Sequence, residues 1–136
     1  MCLKRKQVIR RGESNLGNFL ADVYKQAVGA DSALLNSDGI RSDATYGPGD
    51  LTKKDILSIL PFENTLLKVR LTGAHLKRLL ENGVSVAGEE DGRFPQVSGI
   101  WFAYDGRLPV GSRVTILEVG GKPMEPDRSY TIAVND

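Results

Sequence analysis

The chain has 136 residues, 40% of them hydrophobic and 26% charged, with 18 Lys and Arg against 17 Asp and Glu for a formal net charge of +1. That is enough apolar material for one domain with a core, and the charge balance gives no electrostatic case for a nucleic-acid polymer or a membrane surface as partner. No apolar run approaches the roughly 20 residues that cross a bilayer, and the basic start Lys4-Arg5-Lys6 runs into Gln7 and Arg10 instead of an apolar stretch, so no targeting signal is read.

In chain order, residues 1–7 read as a linker or an appended segment and residues 8–136 as the domain. Cys2 is the only cysteine, which excludes an internal disulfide and a thiolate metal cluster and leaves an idle, solvated thiol. "ESNLGNFLADVYKQAVG" sets Leu16, Phe19, Leu20, Val23, Ala27 and Val28 at three- and four-residue steps, the pattern of an amphipathic helix over 15–28. Ser14 or Asn15 caps its start and Gly29 supplies a left-handed stop. "SALLN" reads as a short buried strand, followed by a turn at Ser37-Asp38-Gly39. "GPGDLTKKDILSILPF" is a loop leading into a short helix, with Thr52 and Asp55 spaced as a capping box and Pro61 as the stop.

"TLLKVRLTG" alternates Leu67, Val69 and Leu71 with Lys68 and Arg70, a half-exposed strand. Thr72 then caps a helix ending at Gly83, with Leu76, Leu79 and Leu80 turned inward. His75, the only histidine, falls near that helix start at the edge of the apolar face and reads as a solvated helix residue. With one histidine and one cysteine, hydrolytic metal sites and Ser-His or Cys-His nucleophiles lack their parts. Residues 85–95 form an acidic, glycine-containing loop. "SGIWFAYD", "SRVTILEV" and "SYTIAV" read as strands, with turns at Asp105-Gly106 and Gly120-Gly121. The order of elements indicates an α+β domain, not a regular βαβ repeat.

Three groups of polar and aromatic residues stand at element ends. Arg10 and Arg11 precede the helix over 15–28, whose first turn carries Asn15 and Asn18. Arginines beside free backbone amides suit a phosphate, although a solvated pair is the simpler reading of these residues alone. Asn36 and Arg41 flank the Ser37-Asp38-Gly39 turn. The amide matches a heterocycle edge and the guanidinium fork matches a phosphate, while Asn36 suits equally the capping of its own turn. In "PFENT", Phe62 follows a proline and Asn64 lies two residues on; such a ring packs against a core or a flat ligand, and composition alone favours the core.

Taken together, "RRGESNLGNFLAD", "LLNSDGIR", "LTKKDILSILPFENTLLKVRLTGAHLKRLLENG" and "GRFPQVSGIWFAYD" closely resemble the C-terminal domain of the 5'-nucleotidase family. That family includes bacterial UDP-sugar hydrolases, 2',3'-cyclic phosphodiesterases and animal ecto-5'-nucleotidases. The resemblance runs from about Val8 to the last residue. It implies a layered α/β/β/α domain with mixed sheets and flanking helices. It further implies that this chain binds no metal or cofactor itself. Two divalent metals (zinc, manganese or similar) and a catalytic His-Asp dyad would sit on an N-terminal metallophosphatase domain in cis, and the C-terminal domain would rotate to deliver the nucleotide substrate. The resemblance places the protein outside the cell, in the periplasm or at the cell surface.

Carried over by motif, Arg10 and Arg41 correspond to phosphate ligands, with Arg11 as a further candidate. Asn36 and Asn64 correspond to contacts with the base, and Phe62 to one of two rings that sandwich it. The family often has glycines where this chain has Ser37-Asp38-Gly39, so Asp38 adds a carboxylate that either repels a bound phosphate or orients Arg41. The family also continues past its final strand through a second stacking aromatic and a Gly-Gly-Asp-Gly segment whose Asp binds the ribose. This chain reads as stopping before that segment, with Asp136 belonging to the strand exit. The isolated chain is therefore expected to be catalytically inactive. Two rival readings are a stand-alone nucleotide- or phosphate-binding module and a structural domain with a decayed site.

Overall fold

A computed structural model of the protein describes residues 6–136, with side chains from Val8 onward. Most of the segment read as a linker, including Cys2, lies outside the described residues, and Lys6 and Gln7 begin a helical turn, α1 (Lys6–Ile9). Helix α2 (Asn15–Val28) has the ends its sequence specifies. Ser14 is extended and its hydroxyl accepts from the Gly17 amide at 3.0 Å, while Gly29 closes the helix in the left-handed conformation at φ 58°.

The buried face of α2 differs from the expected one. Leu16, Gly17, Leu20 and Ala21 are buried, whereas Phe19 and Val23 are exposed. Gly17 is the reason: a Cβ there would lie 2.0 Å from Gln96 Oε1, so its bare backbone lets the helix settle close to the sheet and turns the buried stripe toward the small residues.

Strand β1 (Ser32–Asn36) leads into a 3-10 turn over Ser37–Gly39. Helix α3 (Lys53–Ile59) carries the full capping box between Thr52 and Asp55. Strand β2 (Leu66–Thr72) follows, and then α4 (Gly73–Gly83), capped by Thr72. The remaining strands are β3 (Pro95–Ser98), β4 (Ile100–Tyr104), β5 (Val114–Val119), β6 (Lys122–Pro123) and β7 (Ser129–Asn135). Neither α1, β3 nor the two-residue β6 is legible as a separate element in the sequence. "SGIWFAYD" reads as one strand there, but Gly99 at φ 71° lets the chain leave one sheet for the other, with room for no side chain beside the Asp31 carbonyl. The strand before it, β3, starts at Pro95, inside the segment read as a loop.

The first sheet has the order β2-β7-β1-β3, with β1 parallel to β7 and the outer pairings antiparallel; the second is β4-β5-β6, all antiparallel. One cluster on the first sheet joins Ile9, Leu16, Leu20, Ala33, Leu35, Ile40 and Ile59 under α1, α2 and α3. On the opposite face, Leu76, Leu80 and Val84 join Ile100, Val114, Val119 and Ile132, so α4 packs against both sheets at once. The result is an α+β domain of two sheets with flanking helices. Two leucines fall outside the expected cores. Leu67 is exposed although Val69 and Leu71 on the same strand pack against the core, and Leu79 lies off the stripe formed by Gly73, Leu76, Leu80 and Gly83. His75 is exposed at the helix start, its Nδ1 2.9 Å from Thr72 Oγ1.

Candidate functional site

Parallel pairing of β1 with β7 brings the carboxyl ends of two strands, a hundred residues apart in sequence, to one edge of the domain. Asn36 stands at the end of β1 and Asn135 at the end of β7, with Asn135 Nδ2 donating to Asn36 Oδ1 at 3.5 Å. Beyond Asn36 the turn is pinned by Ser37, which is fully buried. Its hydroxyl lies 2.7 Å from the Ile9 carbonyl and 2.5 Å from the Phe94 carbonyl, so its single proton is shared between them. The Ile9 contact places Arg10 next to the turn.

Arg10 is held from a second direction. Gln96, 1% exposed, donates from Nε2 to the carbonyls of Ile9 and Gly12 and accepts at Oε1 from the Ser14 amide and hydroxyl. The whole approach to α2 is thereby clamped, and Arg10 turns to the β1 edge. The start of α2 is meanwhile served by Ser14, and Asn18 donates to Glu13. The arginine and the helix amides, read together in the sequence, thus point to different places.

Arg10 Nη2 and Arg41 Nη1 both donate to Asp38 Oδ1, at 2.5 and 3.0 Å. The Arg10 side chain is only 17% exposed, and its Nε is buried without a hydrogen-bond partner among the described residues. Arg41 is tied through its backbone amide to the Ile59 carbonyl at the end of α3. The same helix end, broken by Pro61, delivers Phe62, whose ring lies under the Arg41 guanidinium at 5.7 Å. Phe62 is 51% exposed, so the core reading of that ring does not hold.

A cavity of about 180 Å³ is lined by Asn36, Phe62, Asn64 and Asn135, with Tyr24 and Leu60 behind them. Burial raises the Tyr24 hydroxyl above its ordinary pKa. A wider cleft of about 540 Å³ adjoins at Asn36 and Asp38 and includes Asp91 and Arg93. The Asp91 carboxyl is held below its usual range, chiefly by the Arg93 backbone amide, with a smaller contribution from the Arg10 charge.

Five of the six site residues read in the sequence therefore share one locus: Arg10, Asn36, Arg41, Phe62 and Asn64. Arg11 turns away and pairs with Glu90 at 2.9 Å on the surface. The sequence reading missed Tyr24 and Asn135. Tyr24 looks like any partly buried helix residue. Asn135 follows an apolar strand with nothing local to mark it, and its place comes only from the register of β7 against β1. Asp136 behaves as a strand exit, its carboxylate accepting from the Thr65 amide at 2.7 Å. Among the described residues no three His, Cys, Asp or Glu side chains converge as metal ligands, and no helix is long and apolar enough to cross a membrane.

The arrangement can hold an anion between two arginines and a flat polar group against an open ring. The chain is similar to several known proteins. Trifunctional nucleotide phosphoesterase protein YfkN of Bacillus subtilis is 37% identical over 141 residues, covering 97% of this chain and 10% of that protein. A 5'-nucleotidase of Vibrio cholerae is 32% identical over 129 residues, covering 95% of this chain and 22% of its own length. Among solved structures, a 5'-nucleotidase precursor from Thermus thermophilus superposes with a TM-score of 0.90 at 39% identity, over 99% of this chain and 28% of that one. The chain thus spans between a tenth and about a quarter of these proteins. The family model described as 5'-nucleotidase, C-terminal domain matches residues 3–136, and the chain belongs to that family.

Proposed function

We propose that this chain is the nucleotide-holding domain of a metal-dependent phosphoesterase of the 5'-nucleotidase type. Arg10 and Arg41 take the phosphate, Asn36 and Asn64 read the base edge, and Phe62 offers the base one face. The observation that carries this reading is the convergence of both guanidinium groups on a single carboxylate oxygen beside a half-exposed phenylalanine and two asparagines. A carboxylate oxygen that accepts one N–H from each of two arginines resembles a phosphate oxygen in charge and as an acceptor. Phe62 and the asparagine-lined cavity adjoin this arginine pair through Arg41 and Asn36, which suits a molecule with an anionic end and a flat heterocyclic end.

Residues 8–136 form the substrate-binding domain in this reading. An N-terminal metallophosphatase domain in cis supplies the two divalent metals that activate water, and the protein works outside the cytoplasm, in the periplasm or at the cell surface. This chain's own residues bind and orient the nucleotide and move no proton.

The test is a nucleotide titration of the chain, followed by the amide resonances of the 36–41 turn. AMP should perturb that turn and the 62–64 segment together, whereas adenosine should perturb only the second. A charge-assisted contact of this kind contributes roughly 1.5–3 kcal/mol. Arg41→Ala should therefore weaken AMP binding about ten- to a hundredfold. AMP affinity unchanged in that variant removes the phosphate from this locus.

A further inference from the structure

The two arginines do not wait empty. Asp38 Oδ1 already occupies the point on which Arg10 Nη2 and Arg41 Nη1 converge, with its side chain 54% exposed. The geometry divides the turn into a fixed part and a movable part. The Asp38 backbone is anchored, its amide donating to the Gly92 carbonyl at 2.9 Å, and Ser37 next to it is buried. The Arg10 side chain is mostly enclosed and Arg41 is braced on the Phe62 ring. Of the three charged groups the carboxylate is the most exposed, at 54% against 17% for Arg10 and 37% for Arg41, and solvent is open to it if it leaves the arginines.

From this we infer that Asp38 is an internal competitor of the phosphate site, a tethered anion that fills the arginine pair until a phosphate displaces it. The inference rests on the proposed placing of the phosphate at Arg10 and Arg41. Because a tethered group acts at high effective concentration, every anion entering the site gives up the same increment of binding free energy. That penalty leaves the ratio of affinities between ligands unchanged but sets the absolute scale. A nucleotide, which also engages Phe62 and the asparagines, retains enough binding energy to enter. Free phosphate, which has only the arginines, loses the same increment from a smaller total. Asp38 thus makes the site respond to phosphate and base together and keeps the inorganic product from holding it.

Asp38→Asn removes the charge while keeping the shape of the side chain against Gly92. Titrating the 136-residue chain and this variant with AMP, inorganic phosphate and adenosine tests the idea. Affinity for AMP and for phosphate should rise by the same factor, about tenfold for the loss of a charge-assisted pair, and adenosine binding should not change. Asp38→Ser, with a shorter neutral side chain, should give the same gains, and amide shift dispersion checks that both variants fold. Weaker AMP and phosphate binding in both variants would overturn the inference and make Asp38 a brace for the arginines. An unequal gain, confined to AMP, would also overturn it. Arg41→Ala separates the two readings: if it leaves AMP affinity unchanged in the native and the Asp38→Asn backgrounds alike, the phosphate site itself is misplaced.

Discussion

At the scale of single residues, Phe62 shows how a local reading can be reversed by its surroundings. A loop phenylalanine ordinarily belongs to a core, yet this ring is half exposed, with the Arg41 guanidinium over one face. Phe62→Ala should therefore cost no more than about 1 kcal/mol of folding stability, while the loss of base stacking costs roughly 1–3 kcal/mol of nucleotide affinity. Urea unfolding and an AMP titration of the same variant measure the two effects, and a large stability loss with intact affinity would return the ring to the core.

Asp31 gives a second residue-level expectation. Its carboxylate accepts from the Thr131 amide and hydroxyl at 2.8 and 2.7 Å, joining the start of β1 to β7. The Thr131 backbone donor first, and its hydroxyl second, hold the Asp31 pKa below the ordinary 3.8. The folded value is depressed, so the stabilisation is complete above the unfolded pKa and is lost as pH falls from there through the folded value. The native chain should lose stability below about pH 4, and Asp31→Asn should flatten that part of the acid limb in urea midpoints taken between neutral and acid pH.

Among the elements, α2 shows what propensity fixes and what it leaves open. Its limits were readable from Ser14 and Gly29, because caps are local hydrogen-bonding devices. Its buried face was not, because that depended on what lay opposite Gly17. Replacing Gly17 with alanine favours the helix by about 1 kcal/mol. The new methyl, however, would fall on a Gln96 side chain already committed to four hydrogen-bond partners in the interior. Overpacking of this kind costs typically about 1–3 kcal/mol, and the unmade bonds of Gln96 add to it. Gly17→Ala should destabilise the chain by about 2 kcal/mol in denaturant unfolding, against the helix scale. Helix α4 repeats the lesson: its cap at Thr72 was legible, while Leu79 falls outside the stripe that meets the sheets.

For the molecule as a whole, the geometry predicts weak binding and no turnover by this chain alone. The cavity beside Phe62, which would take the base end alone, is about 180 Å³, with Phe62 its one exposed aromatic ring. One ring face and an arginine pair occupied by Asp38 should leave nucleotide affinity near the millimolar range, about −4 kcal/mol. No side chain in this site is a nucleophile activated by a neighbouring base. Incubation with AMP and Mn²⁺ or Zn²⁺ should release no phosphate; turnover that survives purification and vanishes in Arg41→Ala would move the catalytic centre into this chain.

Short-range interactions explain what the sequence by itself determined. Helix caps, turn glycines and strand alternation each act over a few residues, so they can be read along the chain, whereas Arg10, Asn36, Arg41, Phe62 and Asn64 were singled out together only by the family resemblance. The family resemblance extends that reading to the fold class. Tertiary structure alone decided the rest. The parallel register of β1 and β7 put Asn135 against Asn36, the kink at Gly99 divided one apparent strand between two sheets, and the buried clamp of Ser37 and Gln96 brought Arg10 to Asp38 while Arg11 turned to Glu90. Each of these depends on partners separated by many residues, and pairings at that range follow from the packing of whole elements, which no local pattern encodes.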